Sequence, residues 1–295
     1  MTNLAYKINH LKPVDISNSS SLGELLDNIF LSCSNRILSS YYLLENHYDA
    51  ENLHQLRVSL RRFKSFINFF KYEINNNARV TAKNLIEKLL KTTSRVRDFD
   101  VINENYLLPS FNNNPGENEF RKLEDHSKQE QIKLHEKTLE ELTSNSYLEI
   151  LEDLQSWVEN KNWRNELSKT QNKTLNKTPN KLVKKKLKKH HKKIMKSKED
   201  VLIFSQKELH KLRVDIKELR YVIDDLGFFI KEKNNELELL KNLQDILGKI
   251  NDTYVAQTVI NHLGKTIEIG ISRSYIEDQA ESSRNKYLLE LENIK

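Results

Sequence analysis

The sequence predicts an all-α protein of two pseudo-symmetric four-helix-type bundles related by an internal duplication. Three observations carry this. The 295 residues include only six Gly and four Pro, too few for the tight turns of an all-β chain. Apolar residues recur at helical spacing along most of the length. And one stretch, Leu53-His54-Gln55-Leu56-Arg57-Val58-Ser59-Leu60-Arg61-Arg62-Phe63-Lys64, returns as Leu209-His210-Lys211-Leu212-Arg213-Val214-Asp215-Ile216-Lys217-Glu218-Leu219-Arg220.

The repeated stretch is an amphipathic helix with a cationic edge. At about 100° per residue, His54, Arg57, Arg61 and Lys64 share a sector of roughly 80°, a ladder about 15 Å long. Leu53, Leu56, Leu60, Phe63, Ile67 and Phe70 fill a separate apolar sector. The second copy offers His210, Arg213, Lys217 and Arg220 in the same order. Arg62 lies off the ladder, and Glu218 stands at its place in the second copy. Val58 and Val214 lie just beyond the ladder and have no role in the pattern.

Taken in order, residues 1–17 read as a loose lead-in. A helix follows over 20–47, then the ladder helix over 49–71 and a turn at Asn75-Asn76-Asn77. A third helix is predicted over 78–96. A shorter one opens at Arg97-Asp98 and ends near Pro109. Asn112 to Gly116 form a loop. Charged and short helices follow over 117–142 and 147–158. The polar stretch 168–180 reads as a linker between a first bundle, 20–167, and a second, 181–295. The second bundle has a Lys-rich helix over 181–202 and the second ladder helix over 206–230. Residues 235–250 form the next helix, Asn251-Asp252 open a short one, and a long final helix closes the chain.

A second matched motif supports the duplication. Arg97-Asp98-x-x-Val101 corresponds to Asn251-Asp252-x-x-Val255. Asp98 follows His54 by 44 residues and Asp252 follows His210 by 42. These four polar residues are structural or orienting candidates. Each Asp could cap a helix start or orient a ladder Arg through a carboxylate fork.

A formal net charge of +6 favours polyanions: nucleic acid, acidic membrane surface or phosphate polymers. One cysteine, Cys33, excludes a disulfide framework and a Cys-based zinc site within the chain. No run approaches the roughly 20 apolar residues of a membrane helix, so no membrane insertion and a cytoplasmic location are expected. A solvated helix face usually alternates charge sign to gain i,i+4 pairs, and the first ladder contains no acid. An anionic partner is the simplest compensation. His54 and His210 read either as structural histidines or as donors to an anion. Metal ligation is not expected, because no second His, Cys or acid stands at ligand spacing and Arg repels a cation. Residues 181–198 hold ten Lys and no acid. Lys185, Lys189, Lys192 and Lys196 share one face there, and Arg36 lies on the helix before the first ladder as these lie before the second.

The motifs His-x-x-Arg-Val-x-x-Arg-Arg and Arg-Asp-x-Asp-Val resemble those of the CHAD family, the conserved-histidine α-helical domain. So do Lys-Glu-Leu-Arg-Tyr at 217–221 and Leu-Gln-Asp-Ile-Leu-Gly-Lys-Ile-Asn-Asp at 243–252. The resemblance runs from about residue 20 to the C-terminus. It implies two pseudo-symmetric bundles with basic residues facing a central groove, binding of inorganic polyphosphate, and association with polyphosphate granules. By position it carries over to His54, Arg57, Arg61, Arg62, Lys64, His210, Arg213, Lys217 and Arg220. Lys64 stands where the family often has Arg, and Ser94 replaces the usual Gly before Arg97-Asp98. The Glu-x-Glu-x-Lys motif of the CYTH triphosphatases, frequent partners of CHAD domains, is absent.

The leading expectation is a non-catalytic binder of polyphosphate, with other polyanions as further partners and no cofactor. A nucleic-acid binder is the first alternative; it requires aromatic stacking beside the cations. A metal-dependent phosphoanhydride hydrolase is the second. It requires acids to hold the metal, and only Asp98, Asp100 and Asp252 are well placed by the repeat.

Overall fold

The computed structural model describes residues 11, 13–199, 201–230, 234–265 and 269–293. Most of the predicted lead-in, residues 1–10 and 12, lies outside the described residues. Every regular element among the described residues is helical, and none of these helices is long and apolar enough to cross a membrane.

Side-chain caps set the early helix starts. Helix α1 (Leu22–Asn46) begins at Ser21, whose Oγ accepts from the Glu24 N–H. Helix α2 (Ala50–Phe69) begins at Asp49, which accepts from Asn52 N–H at 2.7 Å. Asn75 likewise caps α3 (Asn76–Thr92). The Asn run predicted as a turn is therefore a cap and first turn, because Asn at that place satisfies a free amide.

Helix α4 (Ser94–Ile102) starts three residues before the expected Arg97-Asp98. Pro109 does not end it. A proline lacks the N–H and crowds the carbonyl four residues back. Here a π turn over Asn103–Leu107 widens the helix just before it, with the Leu108 N–H reaching the Asn103 carbonyl, and the chain continues as α5 (Leu108–Asn113).

Helices α6 (Asn118–Leu142) and α7 (Asn145–Glu159) follow as expected. The stretch 168–180 differs from the predicted linker. It holds α8 (Lys169–Leu175), started by a capping box between Ser168 and Gln171. Gln171 Nε2 also donates to the Tyr72 and Ile74 carbonyls, each at 3.1 Å, which ties α8 to the α2–α3 connection. Helices α9 (Pro179–Glu199) and α10 (Gln206–Leu226) come next. Helix α11 (Asn234–Leu263) runs unbroken through Asn251-Asp252, where a new helix was expected. Helix α12 (Gly270–Asn293) closes the chain.

The described residues form two compact units that interleave in sequence and do not follow the expected division at 168–180. One comprises Met1–Thr93, Leu139–Lys193 and Glu218–Lys233; the other comprises Ser94–Thr138, Ile194–Lys217 and Asn234–Lys295. Helices α9 and α10 each contribute to both.

In the first unit α1, α2, α3 and α7 pack together. The predicted apolar stripe of α2 (Leu53, Leu56, Leu60, Phe63, Ile67 and Phe70) is wholly buried. Trp157 meets Phe30 at 5.3 Å and Phe63 at 5.9 Å between ring centres, and its indole N–H donates to the Ala78 carbonyl. In the second unit α11 packs on α12 and on α4. Leu240, Leu243, Leu247, Ile250 and Ile260 are buried there with Val96, Phe99 and Ile102.

Trp157 joins α1, α2 and α3, so Trp157→Ala is expected to cost about 3–5 kcal/mol. Urea unfolding followed by circular dichroism measures this as a lower midpoint at unchanged slope.

Candidate functional site

Burial of the α2 stripe decides where the first ladder points. Its members then diverge in role. Arg57 is buried, and its guanidinium donates to Thr93 Oγ1 at 2.7 Å and to the Leu90 carbonyl at 3.2 Å. Those groups close the C-terminus of α3, where a cation complements the helix dipole. Lys64 pairs with Glu87 at 3.0 Å, with both side chains substantially exposed, a contact worth little in water. His54 and Arg61 are half-buried.

The C-terminal part of α10 belongs to this same unit and brings Arg220 with it. Arg61, Arg62 and Arg220 all act electrostatically on the phenol of Tyr221. Burial pushes that phenol up from its ordinary range, while the three guanidiniums pull it down and Asp224 adds to the rise. Arg62 lies over the Tyr221 ring, 5.3 Å from its centre. Among the described residues, neither the Arg61 nor the Arg220 guanidinium has a carboxylate within ion-pair distance.

Arg36 and Arg62 are held differently. Arg36 grips Asp225 through two parallel bonds of 3.0 and 2.9 Å. Arg62 reaches Asp225 at 3.0 Å and Asp224 at 3.3 Å. Bidentate pairing of this kind fixes geometry as well as charge. The two arginines therefore hold α10 against α1 and α2, aided by Asn68 Nδ2 donating to Glu218 at 2.6 Å.

In the second unit, His210 Nδ1 and Asn251 Oδ1 are 2.7 Å apart, which joins the second ladder to the second Asp motif. The Arg213 guanidinium lies beside Gly248, where an added Cβ would stand 3.6 Å from its Nε. Burial raises the Asp252 carboxyl above the ordinary range. Arg213, a hydrogen bond from Asn251 and Lys217 oppose the rise, and Asp98 reinforces it. Asp252 lies mid-helix and Asp98 in the second turn of α4, so neither caps a helix start. Arg97 is half-buried and Asp98 exposed on α4. Among the described residues no cluster of three or more His, Cys, Asp or Glu is arranged to hold a metal ion.

On α9, Val183, Leu187 and Ile194 are buried, and Lys185, Lys189, Lys192 and Lys196 are all exposed. The helix is anchored by Lys186, which pairs with Glu73 and lies over the rings of Phe69 and Phe70 at 5.5 and 5.3 Å. The first unit thus holds Arg61, Arg62, Arg220, Arg36, Lys64, Lys185, Lys189 and Lys192. His210, Arg213, Lys217 and Lys196 belong to the second. Tyr221, Asp224 and Asp225, which contact the predicted cations Arg36 and Arg62, are not among the residues the sequence singles out. A signal for Asp224 was present, because the spacing 210, 213, 217, 220 continues to 224.

The fold and its cation-bearing helix pair define a helical domain of a known kind. The CHAD domain family matches residues 29–261, and the chain belongs to that family. Two solved structures share the fold. The CHAD domain of the plant Ricinus communis superposes with a TM-score of 0.77 at 18% identity, over 96% of this chain and 93% of that one. PptA from Streptomyces chartreusis gives a TM-score of 0.67 at 12% identity, over 93% of this chain and 97% of that one. No curated protein sequence matches significantly.

Arg57→Ala leaves the Leu90 carbonyl and Thr93 hydroxyl without this donor, and is expected to cost about 1–3 kcal/mol of stability. Arg61→Ala, by contrast, should leave the melting temperature nearly unchanged; thermal melts of the two variants check this. Asp252 gives a pH-dependent case. Its raised carboxyl contributes stability that is fully present below the unfolded Asp range and lost as pH rises through the folded value. Asp252→Asn should therefore stabilise at pH 7 relative to its effect at pH 3, as read from urea midpoints at the two pH values.

Proposed function

We propose that the protein binds inorganic polyphosphate without turning it over, and associates with polyphosphate granules through that binding. The observation that carries this is the cluster at Tyr221. Arg61 from one ladder and Arg220 from the other both act electrostatically on the Tyr221 phenol, and neither guanidinium has a carboxylate partner among the described residues. Guanidiniums without a carboxylate partner can accept an anion, and a chain of phosphates supplies several. Arg can bond phosphate oxygens in pairs, and the exposed lysines of α9 supply point charges to a flexible chain. CHAD family membership is compatible with this reading.

Nucleic acid fits the charge less well. Stacking needs an open aromatic face beside the cations. Phe63 is wholly buried, and the ring of Tyr221 is covered by Arg62.

The test is a binding titration with polyphosphates of defined length, with duplex DNA and RNA as competitors at one salt concentration. Arg61→Ala and Arg220→Ala are each expected to weaken binding by about tenfold or more, in keeping with about 1.5–3 kcal/mol for hydrogen bonds to charged groups. Full binding by both variants would overturn the assignment. Release of orthophosphate from polyphosphate with magnesium or manganese present would overturn the non-catalytic part.

A further inference from the structure

Asp224 stands on the next rung of the second ladder. His210, Arg213, Lys217 and Arg220 are spaced by three, four and three residues, and four more reach Asp224. It therefore lies one turn beyond Arg220 on the same face of α10. The corresponding position after Lys64 is Asn68, which is uncharged. Asp224 is 43% exposed at its side chain, whereas Asp225 is 10% exposed and held by both Arg36 and Arg62. The longer 3.3 Å contact from Arg62 reaches Asp224 across a more open surface. The two neighbouring acids thus have separate jobs. Asp225 is the buried tie that fixes α10 to α1 and α2. Asp224 holds one nitrogen of Arg62 and adds a negative charge one turn from Arg220.

We propose that Asp224 is an affinity-limiting residue for polyanion binding: an acidic stop that ends the cationic row at Arg220 and, beside Asp225, holds one nitrogen of Arg62 back from it. This rests on the polyphosphate reading of the same cluster. A phosphate chain held at Arg61 and Arg220 meets a carboxylate one turn further on. Like charge there repels it, and Arg62 Nη2 is already engaged. The contact sets a ceiling on how tightly this end of the row holds a phosphate polymer, which favours release.

The test compares wild type with Asp224→Asn for binding of long-chain polyphosphate across a range of salt concentrations. Asn keeps the shape, removes the repulsion and takes the charge out of the bond that holds one nitrogen of Arg62. Affinity is expected to rise several-fold. The slope of log K against log salt should steepen by about 0.7–0.9, the contribution of one further neutralised phosphate by the counterion-release relation for nucleic acids. Asp224→Ser serves as a second variant should Asp224→Asn lose helicity. Arg62→Gln in the Asp224→Asn background should return the slope to the wild-type value. Unchanged affinity and slope in a folded Asp224 variant would overturn the proposal. Failure of the wild type itself to bind would instead overturn the polyphosphate reading beneath it.

Discussion

The apolar stripe of α2 is the constraint on which the rest depends. Leu53, Leu56, Leu60, Phe63, Ile67 and Phe70 are all withdrawn from water, and burial of such side chains stabilises by roughly 1.5–3 kcal/mol each. Once that face is committed to α1, α3 and α7, the helix cannot rotate. The neighbouring sector, with its cations, is then placed without further choice. Each cation meets whatever the packed neighbours offer it. Arg57 meets the end of α3, Lys64 meets Glu87, Arg62 meets the acids of α10, and Arg61 meets no acid among the described residues.

A ladder that looked uniform as a pattern is therefore divided by tertiary structure into supports and open charges. Buried, hydrogen-bonded guanidiniums are expensive to expose or to leave unpaired, so Arg57 belongs to the scaffold. Asp225 is the centre of a second support, because two arginines from different helices converge on it. That tie brings Arg220 and Tyr221 into the first unit. Arg61 and Arg220 are left without a carboxylate partner among the described residues.

Periodicity made the fold class legible, and it located α1, α2, α6, α7 and α9 closely. It failed where a local rule was overridden. Pro109 signalled a helix end, but a π turn absorbed it. The polar composition of 168–180 signalled a linker, but Ser168 and Gln171 formed a capping box and docked α8. Asn251-Asp252 signalled a helix start, but α11 runs straight through. In the site, the cations were legible as a row because one helix carries them at fixed spacing. Their partners were not. Thr93 caps the end of α3 and Asp224 and Asp225 lie on α10, and helical spacing on α2 says nothing about what faces it. Asp224 could have been found by extending the second row one more turn.

The most direct test of the account is calorimetric titration of the folded protein with polyphosphates of increasing length at low and high salt. Affinity should grow with chain length, fall steeply with salt, and drop by about tenfold or more in Arg61→Ala and Arg220→Ala. Binding that ignores both arginines, or that duplex DNA displaces as readily as polyphosphate does, would contradict it.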